Sequence, residues 1–199
     1  MIDLAEAVGV KMVRSDHLKS YKSEKSFPSF ATSFGQKEEL VTRIRNIVDE
    51  YSGKIDIFKE LIQNADDSGA TEFHLVLDKR RHRAERVFNT NAQYIQGPAL
   101  MAFNNQVFRE KDFEGLSNLG IGSKREDELT IGKFGIGFNT VYSVTDTPMF
   151  ISNGEFVILD PHLQFSEVGT SQEPGGRFKV CPEFEHDYSD MMAGFSLPA

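Results

Sequence analysis

Residues 59–70, Lys-Glu-Leu-Ile-Gln-Asn-Ala-Asp-Asp-Ser-Gly-Ala, constrain this chain more than any other stretch. Wrapped at about 100° per residue, Glu60, Asn64 and Asp67 fall within a wedge of ~60°, while Phe58, Leu61, Ile62 and Ala65 gather on a separate stripe. The pattern predicts a helix with an apolar back packed on a core and a stop at Gly69. Its other face carries an acid and an amide one turn apart. An Asn oxygen is a neutral hard ligand for Mg²⁺, and a carboxylate beside it can take a proton from water, so the pair suits metal and phosphate chemistry. Taken alone, the same face reads more simply as the solvated side of an amphipathic helix.

A second stretch, residues 131–146, changes the balance. Gly132, Gly135 and Gly137 form a G-x-x-G-x-G turn that runs into the apolar segment Phe138-Asn139-Thr140-Val141-Tyr142. Glycines let a backbone approach an anion closely and aim successive N–H groups at it, and a following helix adds the positive end of its dipole. The spacing is not the dinucleotide order G-x-G-x-x-G. Nor does the chain contain G-x-x-x-x-G-K-[ST], so neither of those phosphate-binding readings applies.

Together the two segments resemble the ATP-binding fold shared by DNA gyrase, the ninety-kilodalton heat-shock chaperones, histidine kinases and MutL. That family has E-x-x-x-N-A on a helix as its first motif, matched here by Glu60 to Ala65. Its last motif, G-x-x-G-x-G before another helix, is matched by Gly132 to Gly137. Within the chaperone branch, E-L-I-Q-N-A-D-D followed by G-A-T-E, Q-G-P-A-L followed by N-N, F-G-I-G-F-N-T-V-Y-S-V-T-D and L-D-P-H are similar to the repeat domains of sacsin. The resemblance covers residues 34–161.

It implies ATP and Mg²⁺ as cofactors. Glu60 would activate water, Asn64 would hold Mg²⁺, Asp67 would share the nucleotide face, and the amides of Gly135, Ile136, Gly137 and Phe138 would take the phosphates. The family's second motif, D-x-G-x-G, follows a strand, and its Asp accepts the adenine amino group. Here the matching place holds Asn104-Asn105-Gln106, so Asn104 is a neutral acceptor and base recognition is weakened. Asn118 and Lys124, by their offset in L-S-N-L-G-I-G-S-K, match contacts from a lid that is shorter here than in the heat-shock chaperones.

Along the chain, residues 1–33 lack comparable periodicity and read as a flexible leader with a short helix near residues 4–13. Residues 34–199 read as one domain cut short at its C-terminus. Leu40, Val41, Ile44, Ile47 and Val48 predict a helix ending at Ser52-Gly53. Residues 71–78 alternate as a half-buried strand, and Arg80, Arg81, Arg83 and Arg86 read as a hairpin edge guarded by charge. Residues 99–103 predict a short buried strand, and residues 110–119 a helix with Phe113, Leu116 and Leu119 inward. Phe150-Ile151-Ser152 and Phe156-Val157-Ile158-Leu159 predict a hairpin around Asn153-Gly154. Beyond Gln164 the composition turns to Gly, Pro and acids, and the family's later Arg-Phe-Pro strand pattern is absent. Asp160-Pro161-His162 has no evident chemistry.

A net charge of −8 argues against a nucleic-acid scaffold, and one cysteine excludes an internal disulfide. Five scattered histidines offer no zinc spacing. No long apolar run marks a membrane span, so the expected setting is cytoplasmic. The expected architecture is α+β: a two-layer sandwich with helices on one face of a mixed, mostly antiparallel sheet. The expected function is an ATP-binding, chaperone-type module with lid movement, at most a weak ATPase, serving protein clients or co-chaperones. The alternative is a non-hydrolysing interaction scaffold that keeps the fold but has lost tight nucleotide binding. Kinase or topoisomerase activity would need further domains.

Overall fold

The computed structural model describes residues 38–51, 53, 55–117 and 137–196 of the chain. Helix α1 (Leu40–Asp49) forms on the expected stripe and buries Ile44 and Ile47. Its last turn is fixed by Glu50 N–H donating to the Ile47 carbonyl (3.2 Å) and Tyr51 N–H to the Val48 carbonyl (3.1 Å). Helix α2 (Asp56–Asp67) follows after a short connection, and the Gly53 N–H in that connection donates to Asp56 Oδ2 at 3.2 Å. Gly69 takes φ +76 and closes α2, because a left-handed stop costs glycine nothing.

Both helices pack against a 3₁₀ helix, Gly137–Ser143, which stands where an α-helix was expected after the glycine turn. Thr140 favours the tighter winding by donating its hydroxyl to the Gly137 carbonyl at 2.8 Å. α2 buries Ile57 and Ala65, and leaves Ile62 53% exposed. The expected apolar stripe is therefore turned away from Ile62, because the 3₁₀ helix meets α2 along the line of Ile57, Glu60 and Ala65.

Strands β1 (Phe73–Asp78) and β2 (Ala99–Asn104) pair antiparallel, with Phe73 opposite Asn104, Leu75 opposite Ala102 and Leu77 opposite Leu100. Directly opposed residues share a face, so these six line one side of the ribbon. The strands are where the alternation put them, but not as buried as expected: Leu75, Leu77, Leu100 and Phe103 are exposed. Between them, residues 79–89 form no hairpin edge. Arg80 instead folds back on Asp78 with paired hydrogen bonds of 2.7–3.0 Å. Asp190 accepts from the Glu85 and Arg86 N–H groups at 2.8 and 2.9 Å, which lashes this stretch to the C-terminal helices.

Helix α3 (Glu110–Ser117) buries Phe113. Strands β3 (Met149–Ser152) and β4 (Glu155–Leu159) make the expected hairpin, with Asn153 and Gly154 at φ +52 and +73, the two left-handed residues of a type I′ turn. A third strand, β5 (Gly175–Lys179), lies on β4 although its composition announced no element. Two short helices end the described chain, α4 (Pro182–Asp187), with Pro182 in its first turn, and α5 (Ser189–Ala193). The described fold is thus α+β, with its strand pairs antiparallel in two small sheets.

The main core joins β4 and β5 to the C-terminal helices. Phe88, Ala92, Phe156, Ile158, Phe184 and Met191 are buried together, with Phe88 stacked on Phe178 at 4.7 Å between centroids. A second aromatic group of Phe108, Phe113, Phe138 and Phe150 links α3, β3 and the 3₁₀ helix. The Arg177 guanidinium lies 3.9 Å over the Phe113 ring, grips Glu110 at 2.7 and 2.8 Å, and also bonds Glu155.

Asp160-Pro161-His162 gains a structural explanation. The Asp160 carboxylate is fully buried and accepts from the N–H groups of Gln164, Phe165 and Ser166 at 3.0, 2.7 and 2.9 Å, which holds the turn that leads to β5.

Phe156 is fully buried at the centre of the aromatic core. Phe156→Ala is expected to cost about 3–5 kcal/mol, the usual loss for a buried phenylalanine. Urea unfolding followed by far-ultraviolet circular dichroism checks this, and a loss below about 1 kcal/mol would contradict the placement of the core.

Candidate functional site

Glu60 sits in the second turn of α2 with its carboxyl group against Gly137, the last glycine of the turn motif. A Cβ built on Gly137 would overlap Glu60 Oε2 and lie 2.9 Å from Glu60 Cδ; its three nearest heavy atoms all belong to that carboxyl group. The glycine is required here by close approach, since any side chain would push the acid away. The two motifs, far apart in sequence, are thus in contact.

Glu60 has a second neighbour that sequence reasoning did not single out. Tyr51, just past the end of α1, is near enough for the Glu60 charge to act on its hydroxyl. Burial, and then the Glu60 charge, push the Tyr51 hydroxyl above its ordinary pKa, because both disfavour a phenolate there. The only sequence signal for it was an aromatic residue at the end of a helix that precedes Glu60.

Asn64 and Asp67 follow Glu60 along α2 and are exposed. Asn64 lies one helical turn from Glu60 and so shares its face. At the far end of the helix, the Asn105 side chain ties α2 to the ribbon. Its Oδ1 accepts from the Thr71 and Glu72 N–H groups at 3.0 and 3.2 Å, and its Nδ2 donates to Thr71 Oγ1 at 2.7 Å. Gln106 Nε2 adds a bond to the Gly69 carbonyl at 3.1 Å. These contacts set the end of β2, and therefore Asn104, beside the end of α2.

Asn104 is half-buried, and its Oδ1 accepts the Gln106 N–H at 2.9 Å. It shares the ribbon face that exposes Leu75, Leu77 and Leu100. Phe138 turns its ring toward Phe150, at 6.1 Å between centroids, so its side chain anchors the 3₁₀ helix in the aromatic group. Asn118, Lys124, Gly132, Gly135 and Ile136 lie outside the described residues.

A cleft of about 320 Å³ is lined by Tyr51, Asp56, Ile57, Thr140 and Ser143 among others. A smaller groove of about 200 Å³ runs between α1 and the Asp160 turn, past Arg45, Tyr142 and His162. The former is at the low end for a small-molecule site. It opens toward the N-terminal end of α2, whereas Asn64 and Asp67 lie toward the other end.

Gly137→Ala is expected to cost the domain less than about 1 kcal/mol, because the overlapping atoms are the flexible end of Glu60, which can swing aside. In a Glu60→Ala background the obstructing atoms are gone, so the loss should largely disappear. A double-mutant cycle on urea stability measures this coupling; equal losses in both backgrounds would show that the two residues do not touch.

A family model described as the sacsin domain matches residues 37–197. The chain is 41% identical over 192 residues to sacsin of Homo sapiens, an alignment that takes in 96% of this chain and 4% of sacsin. It is 31% identical over 105 residues to Protein NO VEIN of Arabidopsis thaliana, 52% of this chain and 3% of that protein. The chain therefore spans a small fraction of the length of either relative.

Proposed function

This chain belongs to the sacsin domain family, and on that footing we propose that it is an ATP-binding module of the gyrase, chaperone, histidine kinase and MutL type, with slow Mg²⁺-dependent hydrolysis. The observation that carries the reading is the contact between Glu60 and Gly137, which puts an acid on a helix against the end of a glycine turn. An adjoining carboxylate and amide on one helix face fit the hard-oxygen chemistry that Mg²⁺ and phosphate require.

In this reading Glu60 holds the attacking water and takes its proton, and Asn64 presents a neutral oxygen to Mg²⁺. Bound Mg²⁺ would neutralise charge on the phosphates. The amides of residues 135–138 would face the phosphate oxygens, with Asp67, Asn118 and Lys124 supplying the remaining nucleotide contacts. The exposed face of Leu75, Leu77 and Leu100 beside Asn104 suits a flat apolar base bounded by one polar acceptor. Nucleotide state would set the lid and so the surface offered to protein clients or co-chaperones. Among the described residues no helix is long and apolar enough to cross a membrane, and a cytoplasmic setting belongs to the same proposal.

One observation favours a second reading, an interaction scaffold without hydrolysis. Asn104 stands where the family has an acid, and its oxygen already serves the Gln106 N–H. A neutral hydrogen bond contributes about 1 kcal/mol less than a charge-assisted one.

Calorimetry with Mg-ATP and Mg-ADP separates the two. The first reading expects binding at roughly tens of micromolar, with poor discrimination against GTP and tighter ATP binding in Asn104→Asp. Glu60→Ala should lower turnover by about 10²–10⁴ while leaving affinity within about tenfold. Absence of binding in parent and Asn104→Asp alike would favour the scaffold, and unchanged turnover in Glu60→Ala would remove the base assignment.

A further inference from the structure

We propose that residues 79–86 form a docking surface for an acidic protein segment that carries an aliphatic or aromatic side chain among its carboxylates. In a chain of net charge −8, Lys79, Arg80, Arg81, Arg83 and Arg86 stand together in this one connection. Arg80 and Arg86 are turned inward. Arg80 holds the buried Asp78 carboxylate and donates to the Ser196 carbonyl at 2.7 Å, and Arg86 donates to the His186 carbonyl at 3.0 Å. Lys79 and Arg81 are exposed and have no hydrogen bond or ion pair among the described residues. Arg83 is exposed as well; its charge reaches Asp190, whose carboxylate already accepts the Glu85 and Arg86 N–H groups. The surface involves none of Glu60, Asn64 and Gly137.

The connection holds a fixed shape. Asp78 Oδ1 accepts the Arg80 N–H at 2.9 Å, and the Gln96 carbonyl accepts the His82 N–H at 2.9 Å. Gly97, at φ +83, packs so closely that a Cβ there would overlap the Arg80 carbonyl. A surface shaped in advance loses less conformational freedom when a partner binds. Apolar groups stand at its margins: Leu77, just before the connection, is 64% exposed, and Tyr94, just before Gln96, is 76% exposed. Cations bordered by exposed apolar side chains complement carboxylates interspersed with an apolar residue. A nucleic acid fits this surface less well. Its phosphates are bound along extended basic strips, and the acidic remainder of this chain repels a long polyanion, whereas a short acidic segment needs the one patch alone.

The test is the fluorescence anisotropy of a labelled peptide of Glu and Asp residues around a central Leu-Phe, titrated with the full chain. The same peptide with Gln and Asn in place of the acids, and a labelled poly-uridine RNA, serve as comparisons. The acidic peptide should bind at roughly tens of micromolar or tighter, with affinity falling severalfold between about 50 and about 300 mM NaCl, and the amide peptide should bind at least about tenfold more weakly. Lys79→Glu, Arg81→Glu and Arg83→Glu together should abolish binding of the acidic peptide. Arg45→Glu, Lys111→Glu and Lys179→Glu together give the same net charge and should weaken it less than about threefold. All six side chains are exposed, so both triple variants should keep the far-ultraviolet circular dichroism of the parent. If the first loses its fold, the single variants Lys79→Gln and Arg81→Gln decide in its place, each with an expected loss of about threefold. No binding of the acidic peptide, equal binding of the amide peptide, or equal losses in the two triple variants would overturn the proposal. Tighter binding of the RNA would overturn it too, and would make the patch a nucleic-acid surface.

Discussion

Close approach between α2 and the start of the 3₁₀ helix is the constraint on which the site rests. The Glu60 carboxyl group occupies the space that a side chain on residue 137 would need. The same 3₁₀ helix also receives α1, so the segment that follows the glycine turn is the common floor for both helices. Had residue 137 carried a Cβ, the Glu60 carboxyl group would have to swing away from the start of the 3₁₀ helix. An acid and a glycine backbone, far apart in sequence, are thereby placed together by packing.

Around that floor the molecule is stiffened from two directions. The ring of Phe138 enters the aromatic group of Phe113 and Phe150, which Arg177 covers while gripping Glu110 and Glu155. At the other end of α2, Asn105 and Gln106 bind the chain just after Gly69, so the end of β2 moves with the helix. The larger core of Phe88, Phe156 and Phe184 lies in the β3–β5 half, and none of its buried members is a candidate site residue. It supplies stability, while the elements carrying Glu60, Asn64 and Asn104 are more exposed.

Much of this was legible from residue patterns. The period of Ile44 and Ile47, the left-handed pair Asn153-Gly154, and the acid and amide on one face of α2 depend on local geometry, which sequence records well. What stayed hidden depends on tertiary partners. Ile62 was placed on the packed stripe because hydrophobicity names a stripe's direction only roughly, and the 3₁₀ helix chose a neighbouring line. Leu75 and Leu77 alternate as buried residues do, yet periodicity cannot say what covers a face. Arg86 and its neighbours looked like a guarded edge because their acceptors, Asp190 and the His186 carbonyl, are distant in sequence. Strand β5 was masked by its glycines, whose lack of side chains is what lets it lie close to β4 and the Ser166 turn. Asn105 was missed for the same reason: it matters through contacts with Thr71 and Glu72 that only the fold creates.

The central proposal is that nucleotide binds on the face of α2 that carries Glu60 and Asn64, against Gly137, with Asn104 at the far end. Amide resonances followed during titration with Mg-ATP test this most directly. The expected result is saturable shifts at Glu60, Asn64, Gly137 and Asn104, with Ile158, Phe184 and Met191 unmoved. Shifts confined to other surfaces, or none at millimolar Mg-ATP, would contradict it.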